Sequence, residues 1–329
     1  MLFLNTLIIG TFISISSFSW LSMWIGLEIN MLSFIPLMNE KKTSNSSEAS
    51  LKYFIVQAIS SMFIIFSILF SLILNEYMEL MKSPMEMILN SALLTKMGAA
   101  PFHFWFPEII EGLSWMNTLI LLTWQKIAPM ILIMYNFNSN LFFCLVILTS
   151  MLVSGIKSWN QTSMKKILAF SSINHIGWML SMLMFNQSLW PFYFSFYSFV
   201  NICLIGILSK FEILSIQNLF NIMNSNKSIK LFFFLNFFSL GGLPPFLGFF
   251  PKWMILKILI KNEYNFLALI MIFLTLIMLF IYMRLLYQSL SLKTSENKIF
   301  NQKSNLFFVN FLSCLNLIGL IIFSFMFNF

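Results

Sequence analysis

The sequence predicts an all-α polytopic membrane protein of about eleven transmembrane helices, built from inverted repeats, with two of the helices broken in mid-span. Three observations predict this. Hydrophobic residues make up 59% of the 329 and charged residues only 9%, whereas soluble domains carry about 25% charged residues. Apolar runs long enough to cross a bilayer recur from end to end. The lysines gather in alternate connectors between those runs, as membrane topology requires.

The elements follow in order. Residues 1–38 are read as two spans, 2–20 and 21–38. A single helix of that length would reach about 57 Å at 1.5 Å per residue, far beyond a bilayer core. The first run lacks the charged leader and small-residue cleavage site of a signal peptide, so it is expected to be retained. A third span at 53–74 completes an N-terminal group, 1–74. The fourth, 87–112, contains "GAAPFHFWFP" (Gly98 to Pro107), with a break at 98–101. Spans at 115–135, 141–159, 167–185 and 189–208 then complete a first repeat, 87–208. The ninth span, 231–260, contains "GLPPFLGFFP" (Gly242 to Pro251), with a break at 241–251. It opens a second repeat, 231–329, which continues through 265–288 and 306–328.

Aligned without a gap, the two broken segments match at Gly, Pro, Phe, Phe and Pro, a repeat signal. Being an odd number of spans apart, they cross the membrane in opposite directions. Inverted repeats with interrupted helices are characteristic of ion-coupled transporters. Unwound backbone is tolerated at membrane depth only where it lines a cavity or is buried in protein. Gly98, Pro101, Gly242, Pro244 and Pro245 are therefore assigned as the structural breaks.

With eleven spans, the connectors on the N-terminal side hold Lys41, Lys42, Lys157, Lys165, Lys166, Lys210, Lys227, Lys230, Lys293, Lys298 and Lys303. The opposite connectors hold Lys82 and Lys261. The positive-inside rule places the N-terminus on the cytoplasmic or matrix side and the C-terminus across the membrane. The net charge of +8 is thus a topology signal, and no basic stripe suited to nucleic acid is present.

Four ionisable side chains fall near mid-span: Glu28 in "WIGLEINML", Lys96 in "LLTKMGAAP", Lys126 in "LTWQKIAPM" and Lys252 in "GFFPKWMIL". Each costs about 2.5–3.5 kcal/mol to insert and usually marks a pathway. Burial disfavours an ammonium and a nearby carboxylate favours it. A lysine whose carboxylate partner moves can therefore take up a proton and release it. His175 and His103, the only histidines, also fall within spans and suit proton relay. Plainer readings exist for each. Glu28 and Lys96 could form a purely structural pair, Lys252 could snorkel to a surface, and His175 could simply bridge two helices. His103 could serve only as scaffold at its break. Lys52, Lys165 and Lys166 sit at helix ends on the basic side, where topology explains them, and Glu108 and Glu111 read as connector residues that could shape a cavity mouth.

There is no GxGxxG, no GxxxxGK[ST], no Cys ligand set and no paired-His ligand motif; Cys144, Cys203 and Cys314 are isolated. The chain is expected to bind no metal ion, NADH, flavin, haem or Fe–S cluster.

The stretches "WIGLEINMLSFIPLM", "EASLKYFIVQA", "KMGAAPFHFWFPEIIEGLSWMN", "TWQKIAP", "KKILAFSSINHIGWM" and "SLGGLPPFLGFFPKW" closely resemble the antiporter-like subunits of mitochondrial NADH:ubiquinone oxidoreductase (complex I), in an animal, insect form. The resemblance runs from about Trp24 to Trp253; residues 261–329 agree only in length and hydropathy. It implies a fourteen-helix fold shortened by three helices at its start, in the mitochondrial inner membrane. It also implies a proton-translocating role beside other membrane-arm subunits, neighbouring antiporter-like subunits and lipids among them. NADH, FMN, Fe–S clusters and ubiquinone would be handled by other subunits. Carried over by motif, Glu28 resembles the family's glutamate paired with Lys96 on the first broken helix. Lys126 resembles the central lysine, His175 the relay histidine, and Lys252 the lysine of the second broken helix. Two rivals stand beside this reading, an independent cation/proton antiporter and a non-pumping structural spacer.

Overall fold

A computed structural model describes residues 1–39, 43–74, 82–137, 140–225 and 227–291. The described residues are helical throughout, with one isolated antiparallel bridge, Ser163 to Ser215. They form two compact units, divided between Ser150 and Met151. The division falls inside a helix of the stretch assigned to the first repeat.

The first unit begins with α1 (Leu2–Ser16) and α2 (Trp20–Met38). Ser17 is extended, and Ser19 caps α2 by accepting from the Ser22 N–H at 3.3 Å. The pair packs backbone to backbone: a Cβ on Gly26 would stand 2.5 Å from the Ser14 nitrogen and 2.8 Å from the Gly10 carbonyl oxygen. Small residues allow such close approach where lipid supplies no hydrophobic drive between helices. There follow α3 (Ser44–Leu74), α4 (Lys82–Met97), α5 (Trp105–Gly112), α6 (Trp115–Leu122), α7 (Trp124–Tyr135) and α8 (Asn140–Ser158). The α3 helix packs on α2, α4 and α5, and α4 packs on α7. Buried amides tie the bundle: Asn117 Nδ2 donates to the Leu37 carbonyl at 2.7 Å, and Asn90 Nδ2 to the Asn136 carbonyl at 3.0 Å.

The second unit contains α9 (Met164–Leu183), α10 (Trp190–Lys210), α11 (Ile216–Ser225), α12 (Lys227–Gly241), α13 (Phe249–Lys261) and α14 (Asn265–Ser291). All of α9 but Lys166 is buried, which makes it the central helix of this unit. It packs on α10 and α13, while α12 packs on α10, α11 and α14.

Six described helical stretches are long and apolar enough to span a membrane: Trp20–Met38, Ser44–Ile73, Trp115–Tyr135, Asn140–Ser158, Gln187–Lys210 and Asn265–Tyr287. The eleventh predicted span, 306–328, lies outside the described residues, as do Lys41, Lys42, Lys293, Lys298, Lys303 and Cys314. Three details differ from the sequence reading. The third span starts at Ser44, well before residue 53. The fifth is interrupted at Thr123, where α6 gives way to α7. Residues expected as a connector form the short helix α11, which buries Leu219, Ile222 and Met223 and was masked by its polar face.

The two breaks match in detail. The α4 helix ends at Met97, Gly98 has φ +75°, Ala100–Pro101 is cis, and helix resumes at Trp105. The α12 helix ends at Gly241, Gly242 has φ +76°, Pro244–Pro245 is cis, and helix resumes at Phe249. Both first halves close with the same pair of reversed bonds. Gly98 and Ala99 donate to the Thr95 and Leu94 carbonyls, each at 3.1 Å. Gly242 and Leu243 donate to the Ser239 and Phe238 carbonyls, at 3.0 and 3.1 Å. This is a Schellman ending, which needs a left-handed residue that glycine supplies without Cβ strain.

Candidate functional site

At the first break, Trp105 Nε1 donates to the Thr95 carbonyl at 3.1 Å, and Thr149 Oγ1 to the Ala100 carbonyl at 3.2 Å. Backbone left over by the interruption thus finds partners inside the protein. Lys96 occupies the last turn of α4 and is only 6% exposed. Its carbonyl accepts from Gln57 Nε2 at 3.3 Å. It lines a cavity of about 10 Å³ together with Asn30, Tyr53, Gln57, Gln125 and Pro129, room for about one water molecule. Gln125 Nε2 donates to Asn30 Oδ1 at 2.8 Å. Pro129 has no N–H, so the Gln125 carbonyl loses its helical donor beside this cavity.

Glu28, on α2, is half-buried, and its Oε1 is buried without a hydrogen-bond partner. It lies close enough to Lys96 and Tyr53 to act on both electrostatically, but it forms no ion pair with Lys96. The expected pair is thus an electrostatic neighbourhood and not a contact. Lys126, in the first turn of α7, is 1% exposed. Its Nζ stands 5.7 Å from the centroid of the Phe106 ring, within cation–π range. Its backbone N–H bonds the Thr123 carbonyl at 3.2 Å, so the unexpected interruption at Thr123 directly precedes this lysine. His103 is buried within the break, its ring 4.5 Å from that of Phe104.

In the second unit, His175 is buried in mid-α9 and its Nδ1 lies 2.8 Å from the Tyr193 hydroxyl. The Tyr197 ring stands 4.9 Å away, and the Tyr197 hydroxyl meets Asn201 and Ser172. Lys252, in the first turn of α13, is 6% exposed. Its Nζ reaches back across the break and donates to the Leu240 carbonyl at 3.0 Å and the Gly241 carbonyl at 2.9 Å. Those are the last carbonyls of α12, the negative end of its dipole, where a cation is favoured. The amine also lies 5.8 Å from the centroid of the Trp178 ring. Lys252 does not snorkel; it turns inward. Gly242 makes room for it, since a Cβ there would stand 2.6 Å from Lys252 Cδ.

Glu108 and Glu111 lie on α5 and not in a connector. With Glu48 and Lys52 they line an open cavity of about 500 Å³. Lys52 Nζ is 2.9 Å from both Glu48 Oε1 and Glu108 Oε2. Topology alone therefore does not account for Lys52. Among the described residues no group of three His, Cys, Asp or Glu side chains is placed to hold a metal ion.

The sequence reading missed Asn30, Tyr53, Gln57, Gln125, Trp178, Tyr193 and Tyr197. Two signals were available. Tyr193 and Tyr197 are four apart on α10 and so share a face, and Asn30 and Gln125 are amides beside charged neighbours in apolar helices.

The sequence profile of the NADH:quinone oxidoreductase/Mrp antiporter transmembrane family matches residues 17–278. Among curated relatives, NADH-ubiquinone oxidoreductase chain 2 of Anopheles gambiae is 48% identical over 298 residues, 90% of this chain and 87% of that one. The chain 2 of Aedes aegypti is 47% identical over 326 residues, 96% of this chain and 95% of that one. A chain of respiratory complex I from Thermus thermophilus, solved with bound aureothin, is similar in fold. It has a TM-score of 0.85 at 21% identity, covering 97% of this chain and 78% of that one.

Proposed function

We infer the role of this chain from its family: it belongs to the NADH:quinone oxidoreductase/Mrp antiporter transmembrane family. It is the antiporter-like chain 2 of a mitochondrial respiratory complex I, set in the inner membrane among other membrane-arm subunits. It conducts protons across that membrane, driven by NADH oxidation and ubiquinone reduction in other subunits. The N-terminus faces the matrix, as the lysine asymmetry suggests.

The observation that carries this reading is that three of the four lysines buried among the described residues, Lys96, Lys126 and Lys252, lie at or beside helix interruptions, the fourth, Lys165, lying in the first turn of α9. Hydrocarbon-facing positions would not retain them. Each is supported by dipoles or a ring face: the polar cavity at Lys96, Phe106 at Lys126, two carbonyls at Lys252. A cation held this way responds to charges nearby. At an effective dielectric of about 20, a unit charge about 10 Å away changes the energy by about 1.7 kcal/mol, more than one pKa unit. Glu28 acts on Lys96 electrostatically, and the hydrogen bond between His175 and Tyr193 supplies a group that can both accept and donate a proton. Proton passage through Glu28, Lys96, Lys126, His175 and Lys252 is the mechanism proposed.

The test replaces Lys126 with Met in the assembled complex. The ratio of protons moved to electrons transferred is expected to fall while the complex still assembles. Normal transport would sink the relay assignment. Impaired assembly with normal transport per assembled complex would make the chain a spacer.

A further inference from the structure

A pocket of about 750 Å³ in the second unit has no part in this relay. It is lined by Trp159 to Thr162 after α8, Ser215 to Gln217 and Phe220 at α11, and Arg284 on α14. Arg284 is the only arginine in the chain. Its Nη2 donates to the Trp159 carbonyl at 2.7 Å, which anchors one donor of the guanidinium and leaves others of its five for a ligand.

The chemistry of the lining selects an anion. Among the described residues the lining has no carboxylate; Asn160, Gln161, Thr162, Ser215 and Gln217 offer neutral amide and hydroxyl donors around one planar cation. Guanidinium matches phosphate with two parallel hydrogen bonds. The cavity at Lys52 makes the contrast, because Glu48, Glu108 and Glu111 line that one.

The position selects an amphiphile. Trp159 directly follows the apolar span Asn140–Ser158, and Arg284, in the C-terminal third of α14, reaches the Trp159 carbonyl, so the pocket sits at the end of that apolar span. Trp159 is half exposed and stacks on Phe280 at 5.0 Å and 19°, a ring at the interface with an apolar body and a polar edge. Phe220 supplies a second apolar wall. Lys157, on the last turn of α8, is exposed, and its carbonyl accepts from Gln161 Nε2 at 3.1 Å. An anionic leaflet is drawn to such basic residues.

We propose that this pocket binds the phosphate of an anionic phospholipid headgroup, with Arg284 as its anchor and Trp159 and Phe220 against the glycerol and upper acyl region.

The test uses the intact complex in nanodiscs carrying a photoactivatable phosphatidylglycerol, with labelled peptides mapped by mass spectrometry. Labelling is expected in the peptide holding Trp159 to Thr162 and to fall about tenfold in Arg284→Gln, the loss of one charge-assisted phosphate contact. Arg284→Lys is expected to retain part of it. Gln217→Glu, at an exposed position that folding tolerates, places a carboxylate in the pocket and is expected to lower labelling severalfold. This variant decides the matter if Arg284→Gln does not assemble. The proposal is overturned if the wild-type complex shows no label there, or if neither variant lowers it. Equal labelling by a phosphatidylcholine analogue would also overturn it, and full competition by inorganic phosphate would overturn the lipid assignment.

Discussion

Lys96 and Lys252 both place an ammonium at a helix break, but from opposite halves. Lys96 rides on the last turn before its break, whereas Lys252 rides on the first turn after its own and reaches back. That reach depends on Gly242. Alanine there would carry the left-handed penalty of about 1–2 kcal/mol and stand 2.6 Å from Lys252 Cδ. Gly242→Ala is expected to dislodge the amine from the Leu240 and Gly241 carbonyls and to lower the proton-to-electron ratio of whatever complex assembles. An unchanged ratio would show that this seat does not matter. His175 depends similarly on Tyr193. Tyr193→Phe deletes the hydroxyl 2.8 Å from Nδ1, at a cost of about 1–3 kcal/mol for a buried polar group. It is expected to reduce transport per assembled complex with little loss of assembly, measured by proton uptake against NADH oxidised.

The α1–α2 hairpin shows what an element demands beyond hydropathy. Its contact is made by backbone at Gly10 and Gly26, where an added Cβ meets main-chain atoms at 2.5–3.0 Å. No side-chain rotation relieves such a clash. Gly26→Val is therefore expected to separate the helices and abolish assembly, and blue-native electrophoresis of the mutant membranes checks it. The broken helices carry the other lesson. Both end in the same reversed bonds around a left-handed glycine, yet their last-turn carbonyls meet different side-chain donors: an indole at the first and a lysine amine at the second. The repeat preserves the backbone device, and the side chain that completes it differs.

Each compact unit holds one matched break and buried lysines beside a helix interruption: Lys96 and Lys126 in the first, Lys252 in the second. If both serve one proton path, their losses are not additive. The Lys96→Met, Lys252→Met double variant is expected to transport no worse than the poorer single variant; a loss equal to the sum of the two single losses would mean independent paths. Most spans, both breaks and the buried charges were legible in the sequence, because hydrocarbon forces each spanning segment to satisfy its own backbone and so writes the segment's limits locally. The interruption at Thr123 and the helix α11 were not. Each is short, and packing decides it over propensity. The chain alone also determined that Lys96, Lys126 and Lys252 had to leave the lipid. Only the tertiary structure decided what receives them. Beside the cavity that Lys96 lines, Gln57 reaches the Lys96 backbone carbonyl from 39 residues away and Gln125 meets Asn30 from 95, because a polar side chain in the interior takes whichever partner the folded neighbours bring within reach.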